Sequence, residues 1–64
     1  MKEELEKLGF KEGLNMFWFK LNNGSMINIL NKNEVWLNDV DEMNFLYLFD
    51  YNHEKLKQLI NILS

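Results

Sequence analysis

The chain has 64 residues, a formal net charge of −3, no cysteine and one histidine. This length predicts one domain, residues 1–64, that folds without disulfides or a structural zinc site. The acidic balance and the lack of arginine argue against direct nucleic-acid binding, and no segment reaches the roughly 18 apolar residues of a membrane span. We therefore expect a soluble, cytoplasmic protein with no membrane partner.

The first predicted element is a short helix from Met1 to Leu8. Gly9 follows it in the position typical of a C-terminal stop, where the left-handed conformation suits glycine. This ending would bring Phe10 into contact with Leu5, which lies on the apolar side of the helix. Lys11 to Asn15 is then expected to be a polar connection.

The central stretch, Met16 to Leu37, is predicted to form three antiparallel strands. Its first turn is Asn22-Asn23-Gly24, and Asn-Gly between apolar runs is a strong hairpin signal. A three-residue loop with Gly24 left-handed pairs Phe19 with Ile27 and leaves one face wholly apolar. A two-residue loop would put a polar amide on that face, so we predict the first register.

The second turn, Asn31-Lys32-Asn33, follows the same logic. With Asn33 left-handed, Ile29 pairs with Val35, and the apolar face continues across all three strands. The candidate partner-binding residues lie on the opposite face: Trp18, Met26, Asn28 and Trp36. Either a helix or the segment after Leu37 covers these tryptophans, or they form an exposed apolar patch for a partner or for self-association.

Asn44 to Phe49 has two possible interpretations. Asp39 and Glu42 resemble a capping box that could begin a helix. The aromatic-rich run itself is more typical of a strand, which we favour as the fourth. Because Leu46 and Leu48 alternate with Phe45, Tyr47 and Phe49, both faces of this strand should be partly covered.

The last element is predicted to be a helix that begins after Asn52, a good N-cap. Its apolar stripe consists of Leu56, Leu59, Ile60 and Leu63. This stripe would cover the apolar face of the sheet. The predicted fold is therefore α+β. It has a small antiparallel sheet of three to four strands, an N-terminal helix and a C-terminal helix, in the chain order αββββα.

Few residues could carry out chemistry. His53 lies in the first turn of the last helix, and we interpret it as a surface or capping residue. Asp39, Asp41 and Glu42 lack the glycine and the spacing of a calcium loop. We therefore expect no catalytic residue, no metal, no cofactor and no enzymatic activity.

Three short motifs carry a resemblance to known sequences: Leu5-Glu6-Lys7-Leu8-Gly9-Phe10, Trp18-Phe19, and Tyr51-Asn52-His53 followed by Leu56 and Leu59. Together they resemble the C-terminal half of small uncharacterised proteins from phages and prophages of AT-rich bacteria. The resemblance implies a mobile-element origin. Small proteins of that origin often bind and block host defence proteins, anti-CRISPR proteins among them.

These observations predict a phage-type inhibitor that binds a host protein through a surface including Trp18 and Trp36. One alternative is a small-ligand or nucleotide-binding protein in which the tryptophans stack on a base. Another is a structural homo-oligomer subunit that buries the same patch against a copy of itself.

Overall fold

The structure, a computed structural model, describes residues 2–31, 33–39 and 44–63. Its elements are α1 (Lys2–Leu8), β1 (Lys11–Gly13), β2 (Met16–Lys20), β3 (Met26–Leu30), β4 (Glu34–Asn38), β5 (Phe45–Asp50) and α2 (His53–Leu63). The strands form one antiparallel sheet of five in the order β1-β2-β3-β4-β5. The α+β class is confirmed, and the sheet has one strand more than predicted.

The additional strand is β1, in the segment predicted to be a polar connection. Lys11 lies opposite Trp18, and Gly13 lies opposite Met16. Asn15, with a φ of 57°, closes the turn to β2 in the left-handed region that asparagine tolerates. This strand is held by main-chain pairing with β2. Its side chains show no alternation of apolar and polar residues, so the sequence pattern does not predict a strand here.

The turn between β2 and β3 has the predicted geometry. Gly24 has a φ of 97°, and its N–H donates to the Leu21 carbonyl at 3.0 Å. The Ser25 N–H donates to Asn23 Oδ1 at 2.8 Å. The predicted pairing of Phe19 with Ile27 is confirmed, so the apolar side chains of both strands share one face.

Gly24→Val tests this turn. A β-branched residue at positive φ should lower the free energy of unfolding by about 1–2 kcal/mol or more. Gly24→Asn is the matched control, because asparagine adopts the left-handed conformation more readily. Thermal melts should place the asparagine variant well above the valine variant. Equal melting temperatures for the two would mean that positive φ at this position does not matter.

The second turn also sets the predicted register. Ile29 pairs with Val35, and Ile27 pairs with Leu37. Asn31 has a φ of 51°, a left-handed position that the sequence analysis did not assign. The φ of Asn33 involves residue 32, which lies outside the described residues, so a left-handed Asn33 stays a prediction.

The predicted fourth strand is confirmed as β5, but its faces differ from expectation. Trp36 pairs with Tyr47 and Val35 pairs with Phe49, so Leu48 is an extra residue in a β-bulge. After the bulge, the side chains of β5 no longer alternate as predicted. Phe49 packs on the core together with Leu48, and it does not share a face with Tyr47. The predicted cover is wrong for Phe45–Tyr47, whose side chains are exposed.

The alternative helix for this segment would begin at Asp39, with Glu42 completing its capping box. Val40, Asp41, Glu42 and Met43 lie outside the described residues. Leu46 and Tyr47 lie in the strand Phe45–Asp50, so the helical alternative is wrong for these two residues.

The core lies between the two helices and one face of the sheet. Its buried side chains are Leu5, Phe10, Leu21, Ile27, Ile29, Val35 and Leu56. Leu5 comes from α1 and Leu56 from α2, and both have no exposed surface. Both helices therefore pack on the same side of the sheet. Leu59 and Ile60 pack at the margin, whereas Leu63 is 38% exposed, so the buried stripe of α2 ends earlier than predicted.

The C-terminus of α1 and the N-terminus of α2 have the hydrogen bonds expected of their predicted caps. At the end of α1 the Phe10 N–H donates to the Leu5 carbonyl at 3.0 Å, and Gly9 has a φ of 104°. This is the Schellman arrangement. At the start of α2 the Lys55 N–H donates to Asn52 Oδ1 at 3.1 Å, which confirms Asn52 as the N-cap.

Candidate functional site

One row of side chains crosses the face of the sheet opposite the core. Trp18 of β2 lies opposite Asn28 of β3, Asn28 lies opposite Trp36 of β4, and Trp36 lies opposite Tyr47 of β5. We call the side of the sheet around this row the tryptophan face. Since α1 and α2 both pack on the other side, neither helix covers the tryptophans. A helix therefore does not cover them. Of the segment after Leu37, the other predicted cover, Tyr47 contacts Trp36, and residues 40–43 lie outside the described residues.

The two indole rings are half-buried and contact neighbouring side chains. Lys11 Nζ lies 5.5 Å from the ring centroid of Trp18, a cation–π contact. Trp36 meets the Tyr47 ring edge to face, with centroids 5.5 Å apart, and its Nε1–H donates to Glu34 Oε1 at 3.3 Å. These contacts hold the rings in place on the face of the sheet.

Asn28 lies beneath this surface. It is 3% exposed, and its Nδ2 donates to Oδ1 of Asn38 at 2.9 Å. Asn38 is itself 7% exposed, and among the described residues no buried side-chain polar atom lacks a partner. The Asn28 amide therefore joins β3 to β4 and supports the two tryptophans. Of the predicted contact residues, it is the one that the structure buries.

Met26 lies on the same face, one row away from the tryptophans. It is half-buried and pairs with Lys20 on one side and Asn38 on the other. The structure thus brings all four predicted residues onto one side of the sheet. It places Trp18 and Trp36 at the centre and Met26 towards the margin.

Tyr47 belongs to the row but was not predicted as a site residue. Its position opposite Trp36 depends on how β5 is aligned with β4, which hydrophobic alternation does not determine. The Tyr47 hydroxyl donates to Asp50 Oδ1 at 2.6 Å. That hydrogen bond, followed by burial and the charges of Asp50 and Glu34, raises the pKa of Tyr47. The phenol is therefore neutral and a hydrogen-bond donor near pH 7.

A cavity of about 440 Å³ opens beside the turn between β1 and β2. It is lined by Glu12, Asn15, Met16, Phe17, Ile29 and Asn31. Glu12 Oε1 already contacts Lys2 Nζ at 3.1 Å, and Asn31 Nδ2 donates to Glu34 Oε1 at 2.8 Å. Two of its polar groups thus have protein partners, and the cavity does not include the tryptophan row.

His53 takes part in a contact between the two helices. Its Nδ1 lies 3.6 Å from Glu4 Oε2 and 3.3 Å from the Tyr51 hydroxyl. The Tyr51 hydroxyl donates to Glu4 Oε2 at 3.4 Å. Burial, followed by the Glu4 carboxylate, raises the pKa of Tyr51, so this phenol stays protonated. Glu4 was not predicted to take part, because it comes from the other end of the chain. We propose that this group holds α1 against α2.

Within residues 2–31, 33–39 and 44–63, no group of three or more acidic or histidine side chains is placed to hold a metal ion. Asp41 and Glu42, two of the three carboxylates compared above with a calcium loop, lie outside the described residues. Neither helix is long and apolar enough to cross a membrane.

Comparison with protein-family models, with curated proteins and with solved structures gave no match.

Proposed function

We propose that this chain is a non-catalytic protein-binding domain and that the tryptophan face is its partner-binding surface. The observation that supports this most strongly is the row formed by Trp18, Trp36 and Tyr47 on the side of the sheet that the helices leave open. Tryptophan and tyrosine are the residues that most often dominate the energetics of protein interfaces. Such rings supply large contact areas with little loss of conformational freedom.

The polar residues around the row also suit a protein partner. Lys11 and Lys20 are exposed at one side, and Glu34 and Asp50 lie at the other. Protein interfaces commonly have an aromatic centre depleted of charge and a charged, solvated rim. The face combines both features within one sheet surface.

The width of the row favours a protein partner over a nucleotide. Trp18 and Trp36 lie on strands that flank β3, so their backbones are about 9–10 Å apart at the usual strand spacing. With Tyr47 of β5 the row crosses four strands, and this extent suits an extended partner better than a single stacked base.

We further propose that the partner is a bacterial host protein, with the chain acting as a phage-derived inhibitor in the cytoplasm. The support is the resemblance of its Gly9-Phe10, Trp18-Phe19 and Tyr51-Asn52-His53 motifs to small phage and prophage proteins. Inhibition would follow from occupying a functional surface of the host protein, a role that needs no catalytic group. A component of a CRISPR-type defence complex is the class of host protein we favour.

Capture from a bacterial lysate tests the proposal with three baits. Wild type and Ile62→Ala should retain the same protein, and Trp18→Ala should lose it. Ile62 is 79% exposed on α2, so it is a matched control on the opposite side of the sheet. Circular dichroism should show that all three are folded.

Two outcomes would contradict the proposal. One is a partner that all three baits retain, which would place its binding site away from Trp18. The other is a saturable change in tryptophan fluorescence with one member of a nucleotide panel, which would favour the small-ligand alternative.

A further inference from the structure

The sheet ends at β5, and the first half of this strand exposes apolar side chains. Phe45, Leu46 and Tyr47 are 57%, 59% and 45% exposed. One edge of β5 pairs with β4, and among the described residues no strand pairs with the other. An edge strand of this kind presents a row of main-chain N–H and C=O groups that can pair with another strand.

The two edges of the sheet differ in a way that matters for association. The strand β1 is three residues long and carries Lys11 and Glu12, and short, charged edges resist pairing. By contrast, β5 is six residues long and has no charge or proline from Phe45 to Phe49. Its bulge lies at Leu48, so Phe45–Tyr47 keeps a regular, unbulged register.

We propose that a second copy of this chain pairs with β5, edge to edge and antiparallel. The two copies would form one continuous sheet of ten strands, five from each. This inference depends on the open edge of β5 and does not require that a partner bind the tryptophan face, although Tyr47 belongs to both surfaces.

The side chains of β5 are complementary to themselves about Leu46. In an antiparallel pair centred there, each Leu46 lies beside the other, and Phe45 lies beside Tyr47 of the second copy. Phe45 and Tyr47 occupy the same face of the sheet, since they pair with Asn38 and Trp36. Aromatic side chains would therefore meet aromatic side chains on that face, a favourable cross-strand pair.

The charges of β5 also favour this arrangement. Asp50 is the charged residue of the strand. In the antiparallel pair the two Asp50 side chains are eight strand positions apart, roughly 27 Å at 3.4 Å per residue. A parallel pair would place like charges side by side, which is destabilising.

The pairing closes on itself. Each copy uses the same strand, so the interface is two-fold symmetric and leaves a β1 edge at both ends. These ends are short and charged, and they do not extend the sheet further. A two-fold axis perpendicular to the sheet also puts both tryptophan faces on the same side, which would give the dimer two adjacent copies of that surface.

The test is the mass in solution, measured by sedimentation equilibrium over a range of concentrations. Wild type should approach twice 7.8 kDa as concentration rises. Leu46→Lys places a charge at the centre of the pair and should return the mass to 7.8 kDa. Leu14→Lys is the matched control, because Leu14 is 91% exposed in the β1–β2 turn, and it should remain a dimer.

Circular dichroism should show that each variant is folded. Hydrogen exchange of the wild type gives a second measurement, independent of any substitution. The amides of Phe45–Tyr47 that face away from β4 should become more protected as concentration rises, while those of β1 should not change.

Three results would overturn the proposal. The first is a wild type that stays monomeric into the millimolar range. The second is amide protection in β5 that does not depend on concentration. The third is a dimer that survives Leu46→Lys but dissociates in Trp36→Ala, because the copies would then meet through the tryptophan face.

Discussion

Leu56→Ala should lower the free energy of unfolding by about 2–5 kcal/mol, the range for large-to-small changes in a core. Leu56 has no exposed surface and is the residue by which α2 enters the core. At 0.05–0.15 kcal/mol per residue, a chain of 64 residues has a total stability of roughly 3–10 kcal/mol. The substitution should therefore remove a large share of the stability and lower the melting temperature by more than about 10 °C.

Ile62→Ala is the matched control on the same helix. Ile62 is 79% exposed, and alanine has the higher helix propensity, so its unfolding free energy should stay within about 0.5 kcal/mol of wild type. Urea unfolding of the two variants measures the difference. If Leu56→Ala and Ile62→Ala lowered the free energy of unfolding equally, burial of Leu56 would not be what packs α2 on the core.

Leu59→Ala should have a smaller effect than Leu56→Ala. Both residues belong to the predicted apolar stripe of α2, but Leu59 packs only at the margin of the core. The 3.6-residue period shows which side of a helix faces inward, whereas the depth of each position depends on what lies beneath it. Periodicity alone could not rank Leu56 above Leu59.

The central hairpins were predictable because independent local rules agree there. Gly24 favours a left-handed turn residue, and alternation requires Phe19 and Ile27 to share a face. A one-residue slip would expose the whole apolar set, so one register is strongly preferred. The ends of both helices were predictable for the same reason, since Gly9 and Asn52 each satisfy main-chain groups.

Features that depend on main-chain pairing or on distant contacts were not predictable. Lys11–Gly13 forms a strand without an apolar pattern, and the bulge at Leu48 depends on how β5 fits beside β4. The contact of Glu4 with His53 joins opposite ends of the chain. Sequence spacing carries no information about such a contact before the fold is known.

The candidate site shows the same division. Alternation placed Trp18 and Trp36 in one row with Asn28, and the structure confirms that row. It could not show that Asn28 is covered by its neighbours, nor that Tyr47 completes the row. The alternation of side chains along a strand predicts which face of the sheet a residue lies on. Whether that residue is exposed depends on the packing of the large side chains around it.

Trp36→Ala should separate the role of the tryptophan face in binding from its role in folding. Trp36 is half-buried, and its ring packs against Tyr47, while its strand neighbour Val35 is fully buried in the core. Loss of the ring pair should lower the free energy of unfolding by about 0.5–1.5 kcal/mol, and loss of the half-buried indole surface adds to this, for a total below about 3 kcal/mol. The variant should therefore remain folded, with a melting temperature only slightly below that of wild type.

Binding should change much more than stability. A tryptophan at the centre of an interface commonly contributes 2 kcal/mol or more, so the Kd for the captured partner should rise by about 30-fold. Titration calorimetry on the folded variant measures this change. Ile62→Ala should bind like wild type, because Ile62 lies on α2, across the sheet from the tryptophan face.

The two measurements together give distinct outcomes. A loss of about 3–5 kcal/mol in stability would mean that Trp36 fills a buried space and that the row serves packing. A variant that melts and binds like wild type would show that the partner does not contact Trp36. Near-normal melting with weakened binding is the result we expect, because neither helix covers the indole ring.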